Sequence, residues 1–335
     1  MQRRSMIGVL AAIFAAFSWS LNFVAPYIVG PYSIYDLAVT RFLLSGLLGI
    51  ALFGAVRREV VQLSLRDWLV AAWLGFVGYV GYFMTVMAAV LFAGPIIPPA
   101  IVAMVPVVLA IMGNLGERTV QWRMLSIPLG LSTLGLVLVN LLGLSEALYG
   151  MPIRVIIGIV ISVGAVLLWT VFALTNRTAL AARPAMDARM WTAMMMIGGA
   201  AEIMAFIPLA ASTGLLKLTS LGVRLHDFLP VLLGSFTLAV IGSIAGSWAW
   251  TIAAKRIPVG LAGQLIVTET VFATCFGLVA THRWPTWPEA LGVASIVVGV
   301  VSALKILQTP SPAEQSTADG AARITTSANQ VNNPN

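Results

Sequence analysis

Four ionisable side chains sit in or beside apolar stretches where water is scarce: Asp36, Arg41, Glu202 and Glu269. A charge at the centre of a bilayer costs about 2.5–3.5 kcal/mol on insertion scales, so such a group faces a cavity or a partner. Arg41 lies about two turns into its stretch, in VTRFLLSG. It could hold a substrate carboxylate. A structural ion pair with Asp36 or Glu269, or snorkelling, is the competing role and the favoured one. Glu269 stands mid-stretch beside Thr268 and near Gln264. Gln264 and Thr268 are four apart and so share a helix face. A carboxylate there could exchange protons or bind a substrate ammonium; the alternative is a hydrogen-bonded helix contact. Glu202 is a second coupling candidate, with fewer polar neighbours.

Aromatic side chains supply the remaining candidates. Trp19 and Asn22 are three apart, as are Tyr79 and Tyr82, so each pair shares a face. Trp169 and Trp248 occupy comparable places later in the chain. Ligand cavities are mostly apolar with a few placed polar groups, and rings with a polar edge suit amphiphilic substrates. For any one ring, core packing or lipid contact is the competing role. Trp68, Trp191, Trp284 and Trp287 lie at stretch ends and read as interfacial anchors.

Several chemistries are excluded. No GxxxxGK[ST] loop, HExxH, Ser/His pair or Asp dyad lies in the apolar stretches, which argues against nucleotide hydrolysis and against an intramembrane enzyme. His226, His282 and the single Cys275 have no metal-ligand spacing. No cofactor is called for. A phosphate site would want several cations, and Arg41 is the one within a span, so phosphorylated substrates are disfavoured.

The elements that must position these residues are transmembrane helices. Hydrophobic residues make up 59% of the chain, charged residues 9%, and the mean hydropathy is +0.96. Soluble domains carry about 25% charge. A hydrocarbon core of about 30 Å needs roughly 20 apolar residues of helix. Ten such spans are expected, at 6–29, 34–56, 67–91, 95–115, 124–143, 155–177, 190–212, 229–253, 258–280 and 288–307. The first begins like a signal peptide but runs past the usual 7–15 residue core, so it reads as an uncleaved span. The pI of about 10.1 does not mean nucleic-acid binding, because the cations sit in short loops. Counting segments from the N-terminus, 14 basic residues fall on its side and four on the other. The positive-inside rule then puts both termini in the cytoplasm of a bacterial inner membrane. Residues 309–335 are expected to be a disordered tail.

The two halves of the chain, 1–150 and 151–308, resemble each other. Trp19 matches Trp169 at an offset of 150. Gly81 matches Gly246 at 165, Gly113 matches Gly277 at 164, and Gly130 matches Gly292 at 162. The jump in offset coincides with the long loop 213–228. Five spans per half is odd, so the second half crosses in the opposite sense. Inverted repeats are a transporter architecture in which the substrate site lies between the halves near the midplane. Pro95, Pro98, Pro99 and Pro106 make span 4 the best candidate for a broken helix.

FSWSLNFVAP, VTRFLLSG, VPVVLAIMGNLGE and LGVASIVVGV, in that order, resemble the EamA-type members of the drug/metabolite transporter superfamily. The resemblance implies an all-α, ten-helix membrane protein of two inverted five-helix repeats that exports small organic metabolites. Within the superfamily the chain is most similar to the bacterial amino-acid exporters that handle aromatic amino acids. A passive facilitator and a nucleotide-sugar antiporter are the alternatives. The chain departs from the pattern in span 9, where Thr281-His282-Arg283 replaces the Gly-Glu pair kept at Gly116-Glu117, and Thr270 replaces a proline. The expected partners are a small-molecule substrate, the lipid bilayer and, through a carboxylate, the proton. The protein would act as a monomer or a homodimer.

Overall fold

A computed structural model describes residues 3–56, 63–94, 97–117, 120–147 and 153–308. The boundary between the repeats at 148–152, Pro95 and the tail 309–335 lie outside the described residues. Among the described residues, ten helices are long and apolar enough to cross a membrane. They are Ser5–Val24, Ile34–Val56, Leu65–Ala93, Ile97–Glu117, Trp122–Asn140, Ile153–Ala181, Ala188–Ser212, Leu225–Ala254, Val259–Ala280 and Trp287–Lys305, numbered spans 1 to 10. An even number of crossings puts both ends of the bundle on one face, hereafter the N-terminal face.

Span 1 departs from its expected course. Its α-helix stops at Ser20 and tightens into a 3₁₀ segment, Leu21–Tyr27. The Asn22 amide donates to the Trp19 carbonyl at 2.7 Å, a local bond that competes with the α ladder. Pro26 has no N–H to continue that ladder. Span 8 starts earlier than expected, at Leu225, because the preceding loop folds into a short helix, Leu218–Leu221.

The packing is that of an inverted repeat. Span 1 packs on span 8 and span 3 on span 6, while spans 2 and 7, 4 and 9, and 5 and 10 pair with each other. Exchanging the halves maps the last three pairs onto themselves and the first two onto one another.

The irregularities obey the same exchange. Span 3 contains a π-helical segment, Phe76–Val80, and span 8 contains one at Leu238–Ala245. Each ends just before the glycine that aligns the repeats, Gly81 or Gly246. Such wide turns mark functional sites in many helices. Span 4 is broken, as its prolines lead one to expect, into Ile97–Val102 and Val105–Glu117. Span 9 is broken too, at Val267, between Val259–Ile266 and Thr268–Ala280. That break lies 164 residues after Ala103 in the first, an offset the repeat already carries.

Close packing of the wide turn of span 3 requires glycine at one position. A Cβ at Gly78 would fall inside the van der Waals envelope of the Phe172 ring. Gly78→Ala is therefore expected to cost about 1–3 kcal/mol through overpacking. It should lower the melting temperature of the detergent-purified protein, and Phe172→Leu in the same chain should recover part of the loss. An unchanged melting temperature would mean that spans 3 and 6 have slack at this crossing.

Candidate substrate-binding cavity

Span 2 carries Arg41 into the bundle with 4% of its surface exposed. Its Nε donates to Ser243 Oγ at 3.1 Å, and its guanidinium also donates to Asn22 Oδ1. The charge lies 5.1 Å from the centroid of the Phe42 ring. The expected ion pairs are not made. Asp36 is buried and spends its oxygens on the backbone N–H groups of Ser33, Lys217 and Leu218 at 2.8–3.0 Å and on the Ser33 hydroxyl. It caps the Leu218–Leu221 turn and ties spans 2 and 7 at the face opposite the termini. Glu269 does not reach Arg41 either. Among the described residues, Arg41 is a buried cation with no carboxylate within 4.0 Å.

The π segment of span 8 shapes this site. The Trp19 indole donates to the Gly242 carbonyl at 3.0 Å, inside the stretch where wide turns displace the usual α partners. Trp19, Trp169 and Trp250 form a three-ring cluster with centroids 5.4–5.9 Å apart. Phe172 extends it from Trp169 at 5.8 Å, and Tyr79 meets Phe172 at 5.3 Å. Trp248 is not in the cluster. It is 39% exposed, and Trp250, which sequence reasoning passed over, occupies the place expected for it. The spacing of Ser243, Ser247 and Trp250, at i, i+4 and i+7, was the available signal of an inward face.

Gln264 and Thr268 do not act as a pair, because the break at Val267 falls between them. Gln264 is fully buried and accepts from Ser132 Oγ at 3.2 Å. The Thr268 hydroxyl donates to the Leu265 carbonyl at 2.7 Å. Glu269 stands in the first turn of the following helix, where the helix dipole favours a negative charge. It is partly exposed, lies near Tyr82, and makes no ion pair or hydrogen bond among the described residues. Glu202, on span 7, has one buried carboxylate oxygen without a partner and joins none of these contacts.

The bundle is closed on one half and accessible on the other. Every residue of Val259–Ile266 is buried, whereas none of Thr268–Ala280 is. Tyr82 to Ala88 are all partly exposed, whichever way they point. Spans 3 and 9 are thus less enclosed on the half away from the N-terminal face, and that open side, where Tyr82 and Glu269 lie, is taken as the cleft. The closed half is tied by charge. Glu117, at the end of span 4, accepts from Arg177 Nε at 3.1 Å and from the Val259 N–H at 3.0 Å. Arg177 also donates to the Ala254 carbonyl. One carboxylate and one guanidinium thereby join spans 4, 6, 8 and 9.

Comparison with known proteins agrees with this architecture. Residues 156–304 match the model of the EamA-like transporter family. The second half of this chain is thus similar to an EamA-like domain. Over 314 residues the chain is 28% identical to the inner membrane protein YtfF of Escherichia coli (strain K12), covering 89% of this chain and 95% of that protein. One protein of known crystal structure has the same fold, with a TM-score of 0.69 at 19% identity over 89% of this chain and 98% of its own. The chain is accordingly similar to EamA-like transporters over its second half and to an inner membrane protein over most of its length, and its ten long apolar helices suit a multi-pass membrane protein.

The Glu117–Arg177 pair is partly exposed, and pairs of that kind contribute about 1 kcal/mol or less. Glu117→Gln is expected to raise the labelling of a cysteine placed at Val259 by up to roughly fivefold in a Cys275→Ser background. An unchanged rate would show that the pair does not hold this half shut.

Proposed function

We propose that the protein is a secondary transporter that exports small neutral or zwitterionic metabolites, aromatic amino acids among them, by alternating access through the central cavity. The observation that carries this reading is Arg41, a buried guanidinium left without a counter-ion among the described residues, beside a cluster of aromatic rings. A substrate carboxylate completes it. Tyr79 and Tyr82, one turn apart on span 3, connect the Arg41 end of the cavity to Glu269, the group suited to an ammonium or a proton. One cation matches one negative charge, which favours a carboxylate over a phosphate dianion. Rings near Arg41 supply the apolar wall an aromatic side chain needs.

Both termini are assigned to the cytoplasm from the 14 to four distribution of basic residues. With that orientation the cleft opens to the periplasm and the Glu117–Arg177 tie closes the cytoplasmic side. The likeness to a protein named for the inner membrane supports that location. Rocking of the two inverted halves would expose the site to each side in turn.

Purified protein in liposomes, assayed for counterflow with a panel of amino acids and quaternary ammonium drugs, tests the proposal. Saturable L-phenylalanine counterflow is expected. Arg41→Gln should lower it about 10- to 100-fold, the weight of one charge-assisted hydrogen bond of ~1.5–3 kcal/mol. Glu269→Gln should abolish dependence on a pH gradient while leaving exchange. Counterflow of the drugs alone, or full activity in Arg41→Gln, would defeat the amino-acid assignment.

A further inference from the structure

Below Arg41, toward the N-terminal face, span 8 carries two buried polar atoms with nothing to bond. Ser247 Oγ and Trp250 Nε1 have no hydrogen-bond partner of ordinary geometry, and neither has Tyr79 Oη opposite them. All three residues are nine-tenths or more buried. The Tyr79 hydroxyl lies near Ser247, without a hydrogen bond of ordinary geometry between them. Ser247 and Trp250 are three apart and share a face. They follow Ser243, which holds Arg41, by four and seven residues, or about 6 and 10 Å of helix. The Trp250 ring packs on Trp169, which also meets the rings of Trp19 and Phe172.

Buried polar atoms are paired in the great majority of cases. An indole N–H can only donate. The two hydroxyls could satisfy at most one of their two protons by bonding each other. At least two buried donors therefore await an acceptor, beside a guanidinium that itself lacks an anion. A carboxylate, with two oxygens and about four acceptor positions, fits such a set.

We propose that Tyr79, Ser247 and Trp250 form a second carboxylate subsite, which receives the substrate's carboxylate on the N-terminal side of Arg41 and passes it to the guanidinium. The proposal rests on the transport reading above and adds to it a route and a selectivity. The substrate is gripped by its carboxylate along the whole donor stripe from Trp250 to Arg41, so removal of that charge should penalise binding more than any change to the ring.

The test compares L-phenylalanine with L-phenylalaninamide, which keeps the ring and the amine but has no carboxylate, as competitors for labelled L-phenylalanine in liposomes. The unaltered protein is expected to prefer the acid at least tenfold. In Tyr79→Phe/Ser247→Ala that preference should fall to threefold or less, and Ser247→Thr, which keeps a hydroxyl, should retain it. Should the double variant fail to elute as a monodisperse species, Ser247→Ala alone gives the comparison. L-Phenylalanine transport with the preference unchanged in these variants would overturn the subsite and leave the transport reading standing. If L-phenylalanine is not transported, the amino-acid reading falls, and phenylacetate still decides the subsite. Quenching of tryptophan fluorescence by phenylacetate, weakened at least tenfold in concentration dependence by the variants, supports it. Absent or unaltered quenching overturns it.

Discussion

A guanidinium held in the membrane interior without a counter-charge is the constraint around which this bundle is organised. Removing Arg41 from water costs free energy that no ion pair returns. Instead the chain supplies neutral acceptors: Asn22 from the 3₁₀ end of span 1 and Ser243 from the π segment of span 8. Both acceptors exist because a helix was interrupted. The α ladder of span 1 yields after Ser20, which brings Asn22 to Arg41. The wide turns of span 8 bring Ser243 inward and leave the Gly242 carbonyl to the Trp19 indole. Backbone irregularity in a membrane is tolerated where it is buried in protein or lines a cavity, and here it does both.

Symmetry explains why these interruptions are where they are. The π segments of spans 3 and 8 and the breaks of spans 4 and 9 fall at equivalent positions of the two halves. Each half therefore contributes one wide-turned helix and one broken helix to the centre. The span 3 segment contributes Tyr79 and is followed within one turn by Tyr82, and the span 8 segment contributes Ser243. The break in span 9 puts Glu269 at a helix N-terminus, facing the half of the bundle that is open.

Much of this was legible in the chain itself. The ten spans, their order and the inverted repeat follow from hydropathy and spaced matches, because a lipid solvent leaves helices few alternatives. Arg41 was legible as the lone in-span cation, but its partners were not. Asp36 lies one turn and a half away in sequence, yet its oxygens satisfy backbone groups of a loop 180 residues on. Proline flagged the break in span 4. Val267 carries no such mark, and only the repeat offset could have placed the break in span 9. Trp248 was chosen over Trp250 because it aligns with Phe83 at the repeat offset of 165, a match that does not register the longer π segment of span 8. Composition does not reveal such a segment, since Leu238–Ala245 reads as ordinary apolar helix.

The symmetry is broken in one respect that bears on which side is closed. The repeat offsets carry Glu117 onto Thr281 and Arg177 onto Tyr27. At the N-terminal face, then, the ends of spans 4 and 6 are joined by an ion pair that also grips the start of span 9 and the end of span 8. At the opposite face the equivalent positions hold a threonine and a tyrosine. A cation there, Arg283, is engaged by Glu289 of span 10, in its own repeat, through two hydrogen bonds of 2.6–2.8 Å. Two halves with the same order of helices and interruptions thus differ in the charges at their rims. The rim with the cross-repeat ion pair is shut, and the rim without it borders the cleft. A small electrostatic difference suffices for this, because an inverted repeat makes the two closed arrangements close in energy to begin with.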